Sequence, residues 1–241
     1  MNQQLQSLYA AKWDQLCMAM RPVIADTTLE VKPTSPLLLS MRNEESFQRA
    51  DIRVMVYGRE TNSWYGEFHE DMPDILDNYN KFFTEGECWR YGGQFWNGVK
   101  RFMELLQKQY PTKTLGLVWN NLVKIGKHDD MGFPPDYIHE VERECFAVHL
   151  DELRIIKPNV VLFLSGPKYD GVLVDDFGPL AHFQRLSVFK QSETFSERQI
   201  VKVSLPNVLS AYRTYHPNYL WRNDINRYFQ TILDQISIDL A

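Results

Sequence analysis

The chain has little cysteine: three residues in 241, at Cys17, Cys88 and Cys145. An odd, scattered set does not frame a disulfide scaffold and falls short of the four thiolates of an iron–sulfur cluster. Long apolar runs are missing as well, and none approaches the roughly 20 residues that cross a bilayer. The opening Met1-Asn2-Gln3-Gln4-Leu5 carries neither a basic nor an apolar stretch, so no secretory leader is expected and the chain reads as cytoplasmic. Positive charge is in deficit, with 26 Lys and Arg against 31 Asp and Glu and a formal net charge of −5. Any nucleic-acid contact therefore needs a local basic patch. Neither the P-loop nor the dinucleotide glycine fingerprint occurs, which disfavours both nucleotide-binding classes. The Asp129-Asp130 pair lacks a wider ligand set, so no metal and no cofactor are expected.

What is present is a well-packed globular composition, 44% hydrophobic and 13% aromatic, with no Gly/Ser/Pro-rich linker. One domain over 1–241 is expected, with 1–50 as a helical arm packed on it. Residues Gln3 to Met20 place Leu5, Leu8, Tyr9, Trp13, Leu16 and Met20 at helical spacing, ended by Arg21-Pro22. Ile52 to Tyr57 is apolar and β-branched and predicts a buried strand, broken by Gly58 and followed by Glu60, Asn62 and Trp64. Asp71 predicts an N-cap for a helix through Phe82 with Pro73 in its first turn. A second helix is expected over 94–109. Thr114 to Trp119 predicts a strand ending on Asn120-Asn121, and 122–135 a long loop. The longest helix is expected from Pro135 to Ile156, then a strand over Val160 to Leu164 running into Ser165-Gly166-Pro167-Lys168. Residues 186–205 alternate as a hairpin around Ser192-Glu193. A last strand, Ala211 to Tyr215, ends on His216, with a closing helix over 221–236. Strands alternating with helices imply a mostly parallel sheet covered on both faces, with ligands at the strands' carboxyl ends.

Several strand ends thus carry polar groups: Glu60 and Asn62; Asn120; Ser165, Gly166 and Lys168; His216. Their order and spacing over roughly 50–235 resemble the uracil-DNA glycosylase superfamily. Gly58-Arg59-Glu60-Thr61 stands where that family has Gly-x-(Asp/Asn)-Pro, and Leu117-Val118-Trp119-Asn120 where a strand ends in a base-reading Asn. Pro158 to Gly166 matches its apolar strand into Gly, and His216-Pro217-Asn218-Tyr219-Leu220 its His-Pro-Ser-Pro-Leu. The resemblance implies a three-layer α/β fold with a central, mostly parallel four-stranded sheet flanked by helices. It implies a monomeric DNA glycosylase in which a flipped base is cut from its sugar.

On that resemblance Glu60 positions water and stabilises the oxocarbenium-like sugar, and His216 donates a hydrogen bond to the departing base. Asn120 reads the base edge with a donor and an acceptor, a role Asn121 could share. Leu220 is the apolar wedge, while Gly166, Lys168 and Asn218 contact phosphates. Lys124 joins Lys127, His128, Lys168, Arg213 and Arg222 in a basic crescent, with Glu140, Glu142 and Glu144 on a helix behind. Trp64, Phe68 and Trp89 are the candidates for stacking on the base. The chain departs from the family where its Pro-Tyr wall against the pyrimidine C5 position is replaced by Thr61-Asn62. Room and a polar partner at C5 suggest a base with a bulky polar substituent, such as glucosylated hydroxymethylcytosine in phage DNA. Two other classes stay open: a non-catalytic nucleic-acid-binding or interaction protein, and an N-glycosidase for free nucleosides or nucleotides.

Overall fold

A computed structural model describes residues 1–178, 182–185 and 195–241. Ten α-helices and six strands are described: α1 Asn2–Ala25, α2 Glu44–Arg49, β1 Ile52–Asn62, α3 Met72–Tyr79, α4 Glu87–Tyr91, α5 Gln94–Gln109, β2 Leu115–Lys127, α6 Asp136–Cys145, α7 His149–Ile156, β3 Val160–Phe163, α8 Asp170–Phe177, β4 His182–Arg185, β5 Ile200–Ser204, β6 Ser210–Thr214, α9 Pro217–Arg222 and α10 Ile225–Asp239. The fold is mixed α/β, a central sheet flanked by helices. The sheet has six strands in the order β2-β1-β3-β6-β5-β4. That corrects the expected four-stranded sheet. β1, β3 and β6 run parallel, while β5 pairs antiparallel with both β6 and β4. β2 runs with β1, since Ile52 N–H meets Thr114 O at one end and Ser63 N–H meets Lys127 O at the other. The antiparallel partnership of β4 and β5 suits a hairpin, but the turn expected at Ser192-Glu193 lies outside the described residues.

The chain divides into two compact units. One comprises Met1–Glu44, Arg59–Gly86 and Asn120–Ile156; the other comprises Glu45–Gly58, Glu87–Trp119 and Lys157–Ala241. β1 and β2 each contribute residues to both.

Several element ends differ from expectation for physical reasons. α1 continues through Pro22 to Ala25. Proline removes the N–H that would bond Met18 O, and Met18 is solvent-exposed, so water can serve that carbonyl. β1 runs through Gly58, and β2 through Asn120-Asn121, so the expected loop at 122–135 is strand as far as Lys127. Over 124–126 β2 is covered by the segment after α1: Leu37 N–H bonds Lys124 O at 3.0 Å and Thr34 N–H bonds Gly126 O at 3.0 Å. A covered edge cannot recruit a foreign strand there. The expected longest helix is two, because α6 ends where Phe146 turns its ring onto Tyr9 and Trp13. α3 is capped by the Asp71 side chain as expected, but passes into a π-helical turn over Asn80–Thr84. α5 keeps its expected bounds.

Candidate functional site

In the second unit, parallel register sets Phe163 beside Arg213, so the carboxyl ends of β3 and β6 lie side by side. Gly166 N–H then bonds Thr214 O at 2.9 Å, tying the two exits together. Gly166 has φ +79°, a conformation that favours glycine. Arg213 holds the segment after β3 in a fork, with Nε and Nη2 each 2.8 Å from the Asp170 carboxylate. Its remaining donors reach the carbonyls of Arg198 and Glu197 at 3.0 and 2.9 Å. Arg213 is therefore an internal clasp, which corrects its expected place in a basic crescent. Burial raises the Asp170 carboxyl despite the lowering influence of Arg213.

His216 leaves the end of β6 and caps α9. Its Nδ1 accepts the Asn218 N–H at 3.2 Å, so in a neutral ring Nε2 carries the proton. The ring stacks on Phe95 with centroids 5.8 Å apart and planes at 26°. Close approach of α5 and α9 depends on Gly98, where a Cβ would lie 2.5 Å from Pro217 Cβ. Lys168 and Asn218 face solvent, and Gly166 is buried. Leu220 is fully buried on the inner side of α9, so it packs the core instead of projecting as a wedge. That corrects its expected role.

In the first unit, Glu60 is half-buried within β1, and Asn62 ends the strand exposed, its Oδ1 accepting Gly132 N–H at 3.2 Å. Trp64 is buried edge-on against Tyr65 and Phe82, at 5.0 and 5.3 Å. Its indole belongs to the packing of that turn, a correction to its expected base-binding role.

Asn120, Asn121 and Lys124 are also corrected: they lie inside β2, and all are buried. The Lys124 ammonium donates to Leu37 O at 2.9 Å and Asn120 Oδ1 at 2.8 Å, and pairs with the Glu152 carboxylate, Oε1 lying 2.9 Å away. Glu152 also accepts the Tyr9 hydroxyl at 2.6 Å and Asn120 Nδ2 at 2.8 Å. Asn121 donates to Thr61 Oγ1 at 3.2 Å. Both amides are engaged by neighbouring protein groups, and the lysine has no solvent exposure. Among the described residues no three His, Cys, Asp or Glu side chains gather as a metal site, and no helix is long and apolar enough to cross a membrane.

Glu142 and His149 complete the cluster and were not evident as site residues. The Glu142 carboxylate accepts Lys124 N–H at 2.7 Å and Ile125 N–H at 3.0 Å, while burial pushes its carboxyl up to about 7. His149 Nε2 meets Leu122 O at 3.0 Å, and burial followed by the Lys124 charge holds its pKa well below the usual histidine range. These shifts act oppositely on stability. The Glu142 contribution is full below about 4.5, its ordinary value, and is lost as pH rises through about 7. The His149 contribution is full above 6.5 and is lost as pH falls toward its depressed value. In Glu142→Gln the unfolding free energy should fall from pH 7 to 5 relative to wild type. In His149→Asn it should rise over the same interval, each by about 1 kcal/mol per pH unit at most. Urea titrations at several pH values check this, and parallel pH profiles in all three proteins would refute it.

No protein-family model matches this chain, and no curated protein matches it.

Proposed function

We propose that the chain is a DNA glycosylase that hydrolyses the N-glycosidic bond of a modified pyrimidine. The observation that carries this is His216: at the carboxyl end of a parallel strand, its Nδ1 is engaged by a backbone N–H, which assigns the proton to Nε2. A neutral imidazole held as an N–H donor suits a leaving base that gathers negative charge as its bond to C1′ breaks. Water supplies the oxygen that ends on C1′, and its proton accompanies the departing base. The β2-β1-β3-β6 part of the sheet, four strands running one way, supports the finer fold implied by the resemblance, with β5 and β4 as an antiparallel extension. Glu60 is assigned the water-positioning carboxylate on the resemblance. Asn62, whose carbonyl oxygen accepts the Gly132 N–H, is assigned on the resemblance as the partner for a polar C5 substituent, through its amide nitrogen. A base such as glucosylated hydroxymethylcytosine meets that requirement, and the enzyme would turn modified phage DNA abasic.

The test incubates the protein with plain, uracil-containing and glucosylated DNA and breaks abasic sites with alkali. Strand breaks in glucosylated DNA are expected, reduced about 100- to 1000-fold in His216→Ala. Glu60→Ala should lose base release with its melting temperature within a few degrees of wild type. Activity retained in both variants would remove the chemistry from these residues.

A second reading is favoured by Leu220 and Lys124, both assigned to DNA and both fully buried. It is an N-glycosidase acting on a free modified nucleoside or nucleotide. Release from the nucleoside, without a gel shift of DNA, would select it.

A further inference from the structure

In the second unit α5 leads away from the His216 stack, since Phe95 lies in its first turn and Gly98 meets Pro217 of α9. Along it lie two neighbouring hollows. One, of about 440 Å³, is lined by Gln94, Asn97, Lys100 and Arg101 of α5 and by Trp221 of α9. The other, of about 430 Å³, is lined by Trp89, Met103, Leu115 and Leu117. Lys100 and Glu104 line both, so Lys100 stands between two indoles.

Both indoles are held in place and still meet water. Trp89 is 43% exposed, with its ring edge-on to Trp96 at 5.5 Å. Trp221 is 41% exposed, with its Nε1 donating to Gln94 O at 3.4 Å. A braced indole offers a flat apolar surface at little further cost in side-chain entropy. Charge narrows what lies on it. Glu104 pairs with Arg101 at 3.5 Å, and Arg101 Nε also donates to Asn226 Oδ1 at 2.7 Å. Lys100 has no carboxylate partner among the described residues. Arg222, next to Trp221, directs its Nε to a carbonyl, Asn218 O at 3.0 Å. In a chain of net charge −5, Lys100, Arg101 and Arg222 gather here against Glu104, which is the local basic patch that a nucleic-acid contact requires. A single polynucleotide strand alternates base, phosphate and base, the order that an indole, a lysine and an indole match. In a duplex each base face is covered by its neighbours, and the indoles have nothing to stack on.

We propose that the α5 face between Trp221 and Trp89 binds single-stranded nucleic acid beside His216, each indole stacking a base and Lys100 pairing with the phosphate between them. This site stands apart from the glycosylase reading, because it holds a strand whether or not a base is cut, so the experiment reads binding. Fluorescence anisotropy of a labelled oligothymidine is measured with the full chain over a range of salt concentrations, with unlabelled duplex and oligoglutamate as competitors. Wild type should prefer the oligothymidine to both competitors. Trp89→Ala and Trp221→Ala should each weaken it about 10- to 100-fold, and Trp89→Phe should restore most of the loss. Lys100→Gln should reduce the slope of log affinity against log salt by about 0.7, the contribution of one phosphate contact on a single strand. Wild-type affinity in both alanine variants, or an unchanged salt slope in Lys100→Gln, would overturn the site. Equal competition by duplex would also overturn it, and equal competition by oligoglutamate would assign the face to an acidic protein partner instead. Strand binding without base release would keep the site and overturn the glycosylase, whereas base release with no loss in these variants would do the reverse.

Discussion

Replacing Lys124 by methionine should lower the free energy of unfolding by about 3–5 kcal/mol, the usual cost of stranding one partner of a buried ion pair. Lys124 and Glu152 are both without solvent exposure, and the ammonium is the cation 2.9 Å from Glu152 Oε1. Without it the Glu152 carboxylate retains Tyr9 and Asn120 as donors but loses its compensating charge, and Leu37 O and Asn120 Oδ1 lose a donor. The double variant Lys124→Met/Glu152→Gln should recover much of the loss, because it removes both charges together. Equilibrium urea unfolding of the three proteins measures the coupling. A single variant within about 1 kcal/mol of wild type would mean that the pair contributes little.

The second large effect is expected at Gly126. A Cβ built there falls 1.4 Å from Thr61 O and 2.5 Å from Thr61 C, both backbone atoms of β1. No rotamer change relieves a backbone clash of that size, so Gly126→Ala must push β1 and β2 apart where Thr61 Oγ1 bonds Val123 O at 3.1 Å. A loss of about 3 kcal/mol or more is expected, visible as a lower urea midpoint and as faster amide exchange along residues 123–127. An unchanged midpoint would show that Thr61 and Gly126 do not face each other.

The regular elements were legible because local composition and tertiary demand agree. Val160 to Phe163 is apolar throughout and becomes a strand buried on both sides, and α5 keeps its sequence-derived limits from Gln94 to Gln109. Boundaries failed where a distant partner changes what a residue means. Gly58 and Asn120-Asn121 look like strand stops, yet neighbouring strands and a buried lysine hold them in extended chain. The burial of Lys124 has a visible signal, a lysine among Leu122, Val123 and Ile125. An ammonium in an apolar run calls for a buried counter-charge. Glu142 carries the same hint, since it lies one helical turn from the inward-facing Ile138. At the candidate site the sequence named His216, and the structure adds the Phe95 stack and the Gly98 contact that position it. Leu220 failed because one residue along a helix turns a side chain by about 100°, a rotation that motif spacing does not encode.

The first unit is assembled from three separate stretches, and its bonds span great lengths of chain: Tyr9 reaches Glu152 across 143 positions, and Lys124 reaches Leu37 across 87. A nascent polypeptide leaving the ribosome cannot close this unit until α7 has emerged. Until then the apolar side of the N-terminal helix is covered only in part, as by Phe68 on Trp13. Such long-range closure makes folding slow, and it makes the half-synthesised chain a natural client for a chaperone.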